Sequence, residues 1–368
     1  MRRWKPVLFA PLMFVSALAL QPVHSQDEVT ELRKLSEAID EAKTKARFEA
    51  ELTSYAFSEE DTTVTRVRFQ YAYPYKRRES IEGSGTPRFV VLEDGAHQWS
   101  YFPARHMVVK EPLRKEDSPF PLSPADDLSH LAKNYEFVIS GPVPSGAGMR
   151  CRIVEFIPRL GDRPRREFWL EERWNLPIRV RVTSPDGRPA YVAELNKIRW
   201  DPGLDQEDLG LKVPRDTKVY EIQEKDNLTK EEAERLLKRR LVLPTAIPLG
   251  YRPQNIVVRL EGPKQCLQVI YTDGLSSFSY FQEWSYPGKV KSQTGSQTVV
   301  ERAASVLSAR KYGLMNLVSL PGTSCRTVIV GDIQKDRLVE MAESLRESLR
   351  QSLSESLGEA FHQEIPPP

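Results

Sequence analysis

The sequence predicts an α+β protein: a curved antiparallel half-barrel wrapping helices, followed by a smaller antiparallel α+β domain. Three observations carry this. Residues 27–46 place Val29, Leu32, Leu35, Ile39 and Ala42 on one helical stripe. From Phe48 the apolar period drops to two, and strand-like segments recur through Ile198. An Asp273-Gly274 pair then sits between two runs rich in β-branched and aromatic residues, beyond a charged stretch.

The first 25 residues read as an export signal. Arg2, Arg3 and Lys5 form a basic start, Val7–Leu20 a short apolar run, and Val23-His24-Ser25 a cleavage site before Gln26. The run is shorter than the ~20 residues a membrane span needs. The expected compartment is the periplasm, with the protein soluble after cleavage. The whole chain carries 53 basic and 51 acidic residues, a net of +2, which loss of the three basic signal residues takes to about −1. A near-neutral chain has no global nucleic-acid signature.

Next comes the helix over 27–46, which buries one stripe. The strands that follow alternate: Phe48, Ala50 and Leu52 on one face, then Thr65, Val67, Phe69, Tyr71 and Tyr73. Residues 88–101 give two strands around Glu93-Asp94-Gly95, and 106–110 a third. Residues 118–126 form a proline-rich loop, and 127–132 a short helix. Strands at 135–140, 152–157, 166–170, 178–182 and 190–198 complete a meander. A sheet with so few helices buries one face only by curling or by being covered.

The first domain is placed at 26–213 and a charged linker at 214–240, where Thr229 is the N-cap of a helix over 230–240. The second domain runs from 241 to 345. It holds a strand at 255–260, a hairpin with a two-residue primed turn at Asp273-Gly274, a helix over 297–310, strands at 313–319 and 326–331, and a final helix. A helical tail follows over 346–368. Its stripe of Leu349, Leu353 and Leu357 suits pairing with another copy in a homo-oligomer or with a partner helix; a solvated extension is the alternative.

The inventory of chemistry is thin. His97, His106, His130 and His362 have no metal-ligand spacing. There is no nucleophile elbow, phosphate loop, dinucleotide fingerprint or Cys-x-x-Cys. Asp126-Asp127 is better suited to starting a helix. No catalytic residue, metal or cofactor is expected, and the protein is read as a non-enzyme. Of Cys151, Cys266 and Cys325, the last two share a domain and are the candidates for a disulfide in an oxidising compartment; buried thiols are the alternative.

What remains are surfaces. Phe69, Tyr71, Tyr73, Trp99, Tyr101, Phe168 and Leu170 suit an apolar ligand pocket on the concave face, or core packing under the first helix. Three basic groups, Lys76-Arg77-Arg78, Arg163 with Arg165 and Arg166, and Arg179 with Arg181, suit anionic headgroups or an acidic peptide, or a solvated strand face.

Several stretches together resemble the MucB/RseB family of periplasmic stress regulators. They are Cys151–Pro158, Phe168-Trp169-Leu170-Glu171, Leu176-Pro177-Ile178, Ile247–Pro253, Tyr271-Thr272-Asp273-Gly274-Leu275-Ser276-Ser277 and Val328–Ile333. Asn175 stands where the family usually has glycine before Leu-Pro. The resemblance implies a half-barrel like the periplasmic lipoprotein carriers, plus a smaller C-terminal domain. It implies binding to the periplasmic part of a membrane-bound anti-sigma factor, which shields that factor from a protease. It also implies release when lipopolysaccharide or stray lipoprotein is bound. A lipid or lipoprotein carrier without a signalling role is the alternative reading.

Overall fold

The computed structural model describes residues 26–58, 61–81, 87–113, 127–145, 148–204, 209–261, 264–285, 308–312, 315–320 and 325–348. The expected signal peptide, the proline-rich loop, residues 297–307 and the tail from 349 lie outside these.

Helix α1 (Gln26–Lys45) opens the described chain. Eleven strands follow: β1 (Arg47–Phe57), β2 (Thr62–Ala72), β3 (Tyr75–Ser80), β4 (Val90–Glu93), β5 (His97–Phe102), β6 (Met107–Pro112), β7 (Tyr135–Pro144), β8 (Arg150–Pro158), β9 (Arg165–Glu171), β10 (Pro177–Thr183) and β11 (Pro189–Trp200). A 3-10 turn (Pro103–Arg105) links β5 to β6, and helix α2 (Leu128–Asn134) precedes β7. With β12 (Lys218–Glu221) they form one open 12-stranded sheet, ordered β12-β6-β5-β4-β3-β2-β1-β11-β10-β9-β8-β7. All its pairs are antiparallel except β12 with β6.

α1 lies across the concave face. Leu32, Leu35 and Ile39 pack on Val154, Phe156, Phe168 and Leu170. Ala42 and Ala46 pack on Phe48, Ala50 and Phe69. The sheet face is apolar at alternate residues and the helix at every third or fourth, so the two periods mesh along one seam. In the turn before β10, Asn175 takes φ +51°. Glycine adopts that conformation freely and asparagine tolerates it, so Asn175 fits this turn.

The second sheet is 7-stranded, ordered β13-β14-β15-β16-β19-β18-β17. Its strands are β13 (Glu224–Lys225), β14 (Arg252–Glu261), β15 (Lys264–Thr272), β16 (Ser277–Ser285), β17 (Ser308–Tyr312), β18 (Met315–Leu320) and β19 (Arg326–Gly331). Helix α3 (Lys230–Leu237) carries a reciprocal capping box between Thr229 and Glu232. Helix α4 spans 335–348. Ala233 and Leu237 of α3 and Leu338, Met341, Ala342 and Leu345 of α4 close the core over Val269, Tyr280 and Ile329. The stretch read as a linker, 214–240, thus contributes β12 to the first sheet and β13 and α3 to the second.

Three features differ from the sequence reading. Residues 308–310, expected in a helix, form part of β17, because pairing of Ser308–Tyr312 with β18 outweighs local propensity. The Asp273-Gly274 hairpin exists, but its loop has four residues, between the paired Thr272 and Ser277. Asp273 Oδ1 accepts from the Leu275 and Ser276 amides at 3.0 and 2.8 Å. The side chain closes the turn, so only Gly274 needs a left-handed φ, at +104°. The candidate disulfide between Cys266 and Cys325 does not form, and both are free thiols. Glu283 of β16 pairs with Cys266 on one side and with Arg326, the neighbour of Cys325, on the other. Two strand spacings of about 4.8 Å exceed the reach of about 7 Å between bridged Cα atoms.

Ile39→Ala should cost about 2–5 kcal/mol through the cavity it opens under α1, while the exposed Glu37→Ala should stay within about 0.5 kcal/mol; urea unfolding measures both. Dithiothreitol should leave the melting temperature of the purified protein unchanged.

Candidate concave-face site and domain junction

Strand register fixes which side chains share a face, because directly paired residues point the same way. One row across the concave face runs Val154, Phe168, Val180, Ala193, Ser54 and Thr65. Val154 and Phe168 are fully buried, Val180, Ala193 and Ser54 half-buried, and Thr65 exposed. The face is therefore filled at the β8–β9 end and open towards β1 and β2. Small residues line the open part.

Phe69, Tyr71, Phe168 and Leu170 lie on this concave face. Phe168 and Leu170 are wholly covered by α1 and its neighbours. Phe69 and Tyr71 both stack on Phe48, at 5.6 and 5.5 Å between ring centroids. Tyr71 Oη also donates to the Lys43 carbonyl of α1 at 2.9 Å. Trp99 and Tyr101 lie on the opposite face: Trp99 pairs with Leu92, which pairs with Arg77 and then Gln70. There Tyr101 packs with Val90 and Val108, with Trp99 and Leu211 against them. Tyr73 stands in the turn after β2, 55% exposed. The sequence-derived set thus divides between two faces and one turn.

The basic groups divide in the same way. Lys76 and Arg78 share the concave face with Tyr71 and Phe69 and clasp the buried Glu93 at 2.7 and 2.8 Å. Burial pushes the Lys76 ammonium below its ordinary value, against the pull of Glu93. Arg77 points to the other face and donates to the Gly210 carbonyl at 2.9 Å. Arg179 stacks over Trp169 at 4.9 Å. Arg163 and Arg166 serve the junction between the sheets.

That junction is built on Asp273, which is 0% exposed. Its Oδ2 accepts from Arg163 Nη1 at 2.9 Å and from Tyr135 Oη at 2.9 Å. Its backbone carbonyl accepts from Asn134 Nδ2 at 2.8 Å. Arg163, in the loop before β9, also donates to Asp162 and to the Leu249 carbonyl, and lies 4.9 Å over the Tyr251 ring. Burial, and then the Asp273 carboxylate, push the Tyr135 phenol well above its ordinary value, so it remains a donor. Arg166, on the concave face, pairs with Asp332, whose other oxygen accepts from the Ser277 amide at 3.1 Å. At the rim Arg252 meets Asp127 at 2.9 Å.

The hairpin tip fits closely here. A Cβ on Gly274 would lie 2.9 Å from Leu131 Cα of α2, so only glycine allows that approach. Leu275, the next residue, is buried inside the first domain's core with Leu32, Leu35, Leu131 and Phe168. Sequence reasoning marked the hairpin but missed the junction. The signal available was an Asp-Gly-Leu tip more apolar than a solvent-facing turn requires.

The arrangement offers binding surfaces. No group of three or more metal-binding side chains forms among the described residues, and no described helix is long and apolar enough to cross a membrane.

Comparison with known proteins places this geometry. Residues 33–209 match the MucB/RseB N-terminal domain. No curated protein matches the chain by sequence. Among solved structures, the Pseudomonas aeruginosa MucA/MucB complex aligns at a TM-score of 0.54 with 14% identity, covering 85% of this chain and 97% of that one. MucB in complex with MucA(peri) aligns at 0.52 with 14% identity, covering 84% and 97%. MucB alone aligns at 0.50 with 15% identity, covering 86% and 97%.

Asp273→Ala should destabilise the docked pair by about 3–5 kcal/mol, because it leaves Arg163 buried without its principal counter-charge. Calorimetry should then show the two domains unfolding in separate steps. Gly274→Ala should act in the same direction, through the clash with Leu131 and the strained φ.

Residues 33–209 thus carry the MucB/RseB N-terminal domain, and the chain as a whole is similar in fold to MucB.

Proposed function

We propose that this protein is an exported negative regulator of envelope-stress signalling. It binds the periplasmic part of a membrane-bound anti-sigma factor and shields it from proteolysis. Lipid or lipoprotein acyl chains on the concave face lower that affinity. By linkage, the bound peptide lowers affinity for the acyl chain by the same factor.

The observation that carries this reading is the second domain, docked on the first through the buried Asp273–Arg163–Tyr135 contacts. The MucB structures that share this two-domain fold include two solved with MucA, and the alignment spans 97% of each of those two MucB chains. Carrying a lipid needs only a concave apolar face. A carrier without a signalling role leaves the docked domain without a task. Export follows from the basic, apolar and small-residue order of the first 25 residues. The candidate ligand contacts are Phe69, Tyr71, Phe168 and Leu170, with the half-buried Val180 and Ala193 beside them.

The test is a pull-down from detergent-solubilised cell envelopes, with the mature protein as bait. A single-span anti-sigma factor should be captured, and added lipopolysaccharide or a diacylated peptide should release it. Capture of lipoproteins alone, with no anti-sigma factor, would leave the carrier reading in its place.

A further inference from the structure

The hairpin tip of the second domain and the floor of the first domain's concave face occupy one core. Leu275 is buried with Leu32 and Leu35 of α1, Leu131 of α2, and Val154, Phe168 and Leu170 of the sheet. It therefore walls the closed end of the row that opens at Val180, Ala193 and Ser54. The polar groups on either side hold it there. Asp273, two residues before it, takes Arg163 and Tyr135 from the first domain. Asp332, beside the hairpin's base, takes Arg166 from the same concave face. We infer that Leu275 is a plug: an acyl chain that slides along the concave face into its closed end displaces this side chain and undocks the hairpin.

This rests on the lipid-sensing part of the proposed function and supplies its physical link. The interior beneath α1 is packed at side-chain density, so an added chain needs something to leave. Three elements cover the Phe168 floor, α1, α2 and the hairpin tip, and they differ in what holds them; α2 runs straight into β7. α1 is joined directly to β1 and packs along two clusters of the sheet. The hairpin tip enters from another domain, and one apolar side chain fills the space. Undocking moves Asp273, Gly274 and Leu275 together, since Asp273 Oδ1 holds the Leu275 and Ser276 amides. Occupancy of the face and docking of the domains then exclude each other. A signal on the first domain is reported as a change in the orientation of the second.

The test uses the full mature protein and a fluorescently labelled palmitate. Leu275→Ala shortens the plug, so it should bind the probe about five- to tenfold more tightly than wild type, as expected when the competent state becomes more populated. Asp332→Asn releases Arg166 without touching the core and should shift affinity the same way by a smaller factor. This second variant keeps the test valid if Leu275→Ala folds poorly. In wild type, hydrogen–deuterium exchange of the peptide spanning 272–278 should speed up when the probe saturates. Binding by Leu275→Ala but not by wild type would also support the plug. Equal affinities with unchanged 272–278 protection would overturn it and leave lipid sensing intact. No binding by any of the three proteins would overturn both.

Discussion

The contact on which the two-domain structure depends is the buried ion pair between Asp273 and Arg163. Both side chains are withdrawn from water, which costs several kcal/mol per ion before any attraction is counted. Such a pair contributes little net stability, but it tolerates only one geometry. Tyr135, Asn134 and the hairpin's own amides satisfy the remaining oxygens of Asp273. Any rotation of one domain on the other leaves a charge buried without its partner. The pair therefore sets orientation, while burial of Leu275, worth about 1.5–3 kcal/mol for a side chain of that size, favours docking itself. Specific orientation and modest adhesion together suit a junction that is made and unmade.

The concave face has the complementary property. It is dense where α1, α2 and the hairpin meet Phe168 and Leu170, and it thins towards Ala193 and Ser54. Its other flank carries the Lys76–Glu93–Arg78 cluster rather than apolar side chains. An elongated amphipathic ligand with an apolar chain and a polar end suits such a surface better than a compact apolar one does. Cys151, Cys266 and Cys325 form no disulfide; Cys151 serves instead as a buried side chain of the first core, and Cys325 packs against the second.

Much of the fold was legible because its signals are local. The helical stripe from Val29 to Ala42 gives α1, the alternation over Thr63–Tyr73 gives β2 to within a residue at each end, and the strand read at Arg326–Gly331 is β19. β3 was hidden because its residues, Lys-Arg-Arg-Glu, read as a charged surface. The strand reading lacked the register that β3 carries from β2 to β4, so the facing of Trp99 and Tyr101 relative to Phe69 could not be fixed. A one-residue change of phase sends a side chain to the other face.

The sequence by itself determined the fold class of the protein: the helical stripe, the strand periods, the charged stretch between two sets of strands, and the stretches around Phe168 and Asp273 that resemble the MucB/RseB family. Each depends on neighbours within a few residues. Only the tertiary structure decided what Asp273 is for. As a turn residue it needs its own amides alone. As a buried anion it needs Arg163 and Tyr135, which lie more than a hundred positions away in sequence. A buried charge takes its role from the partner that neutralises it, and that partner is chosen by the way the sheets dock.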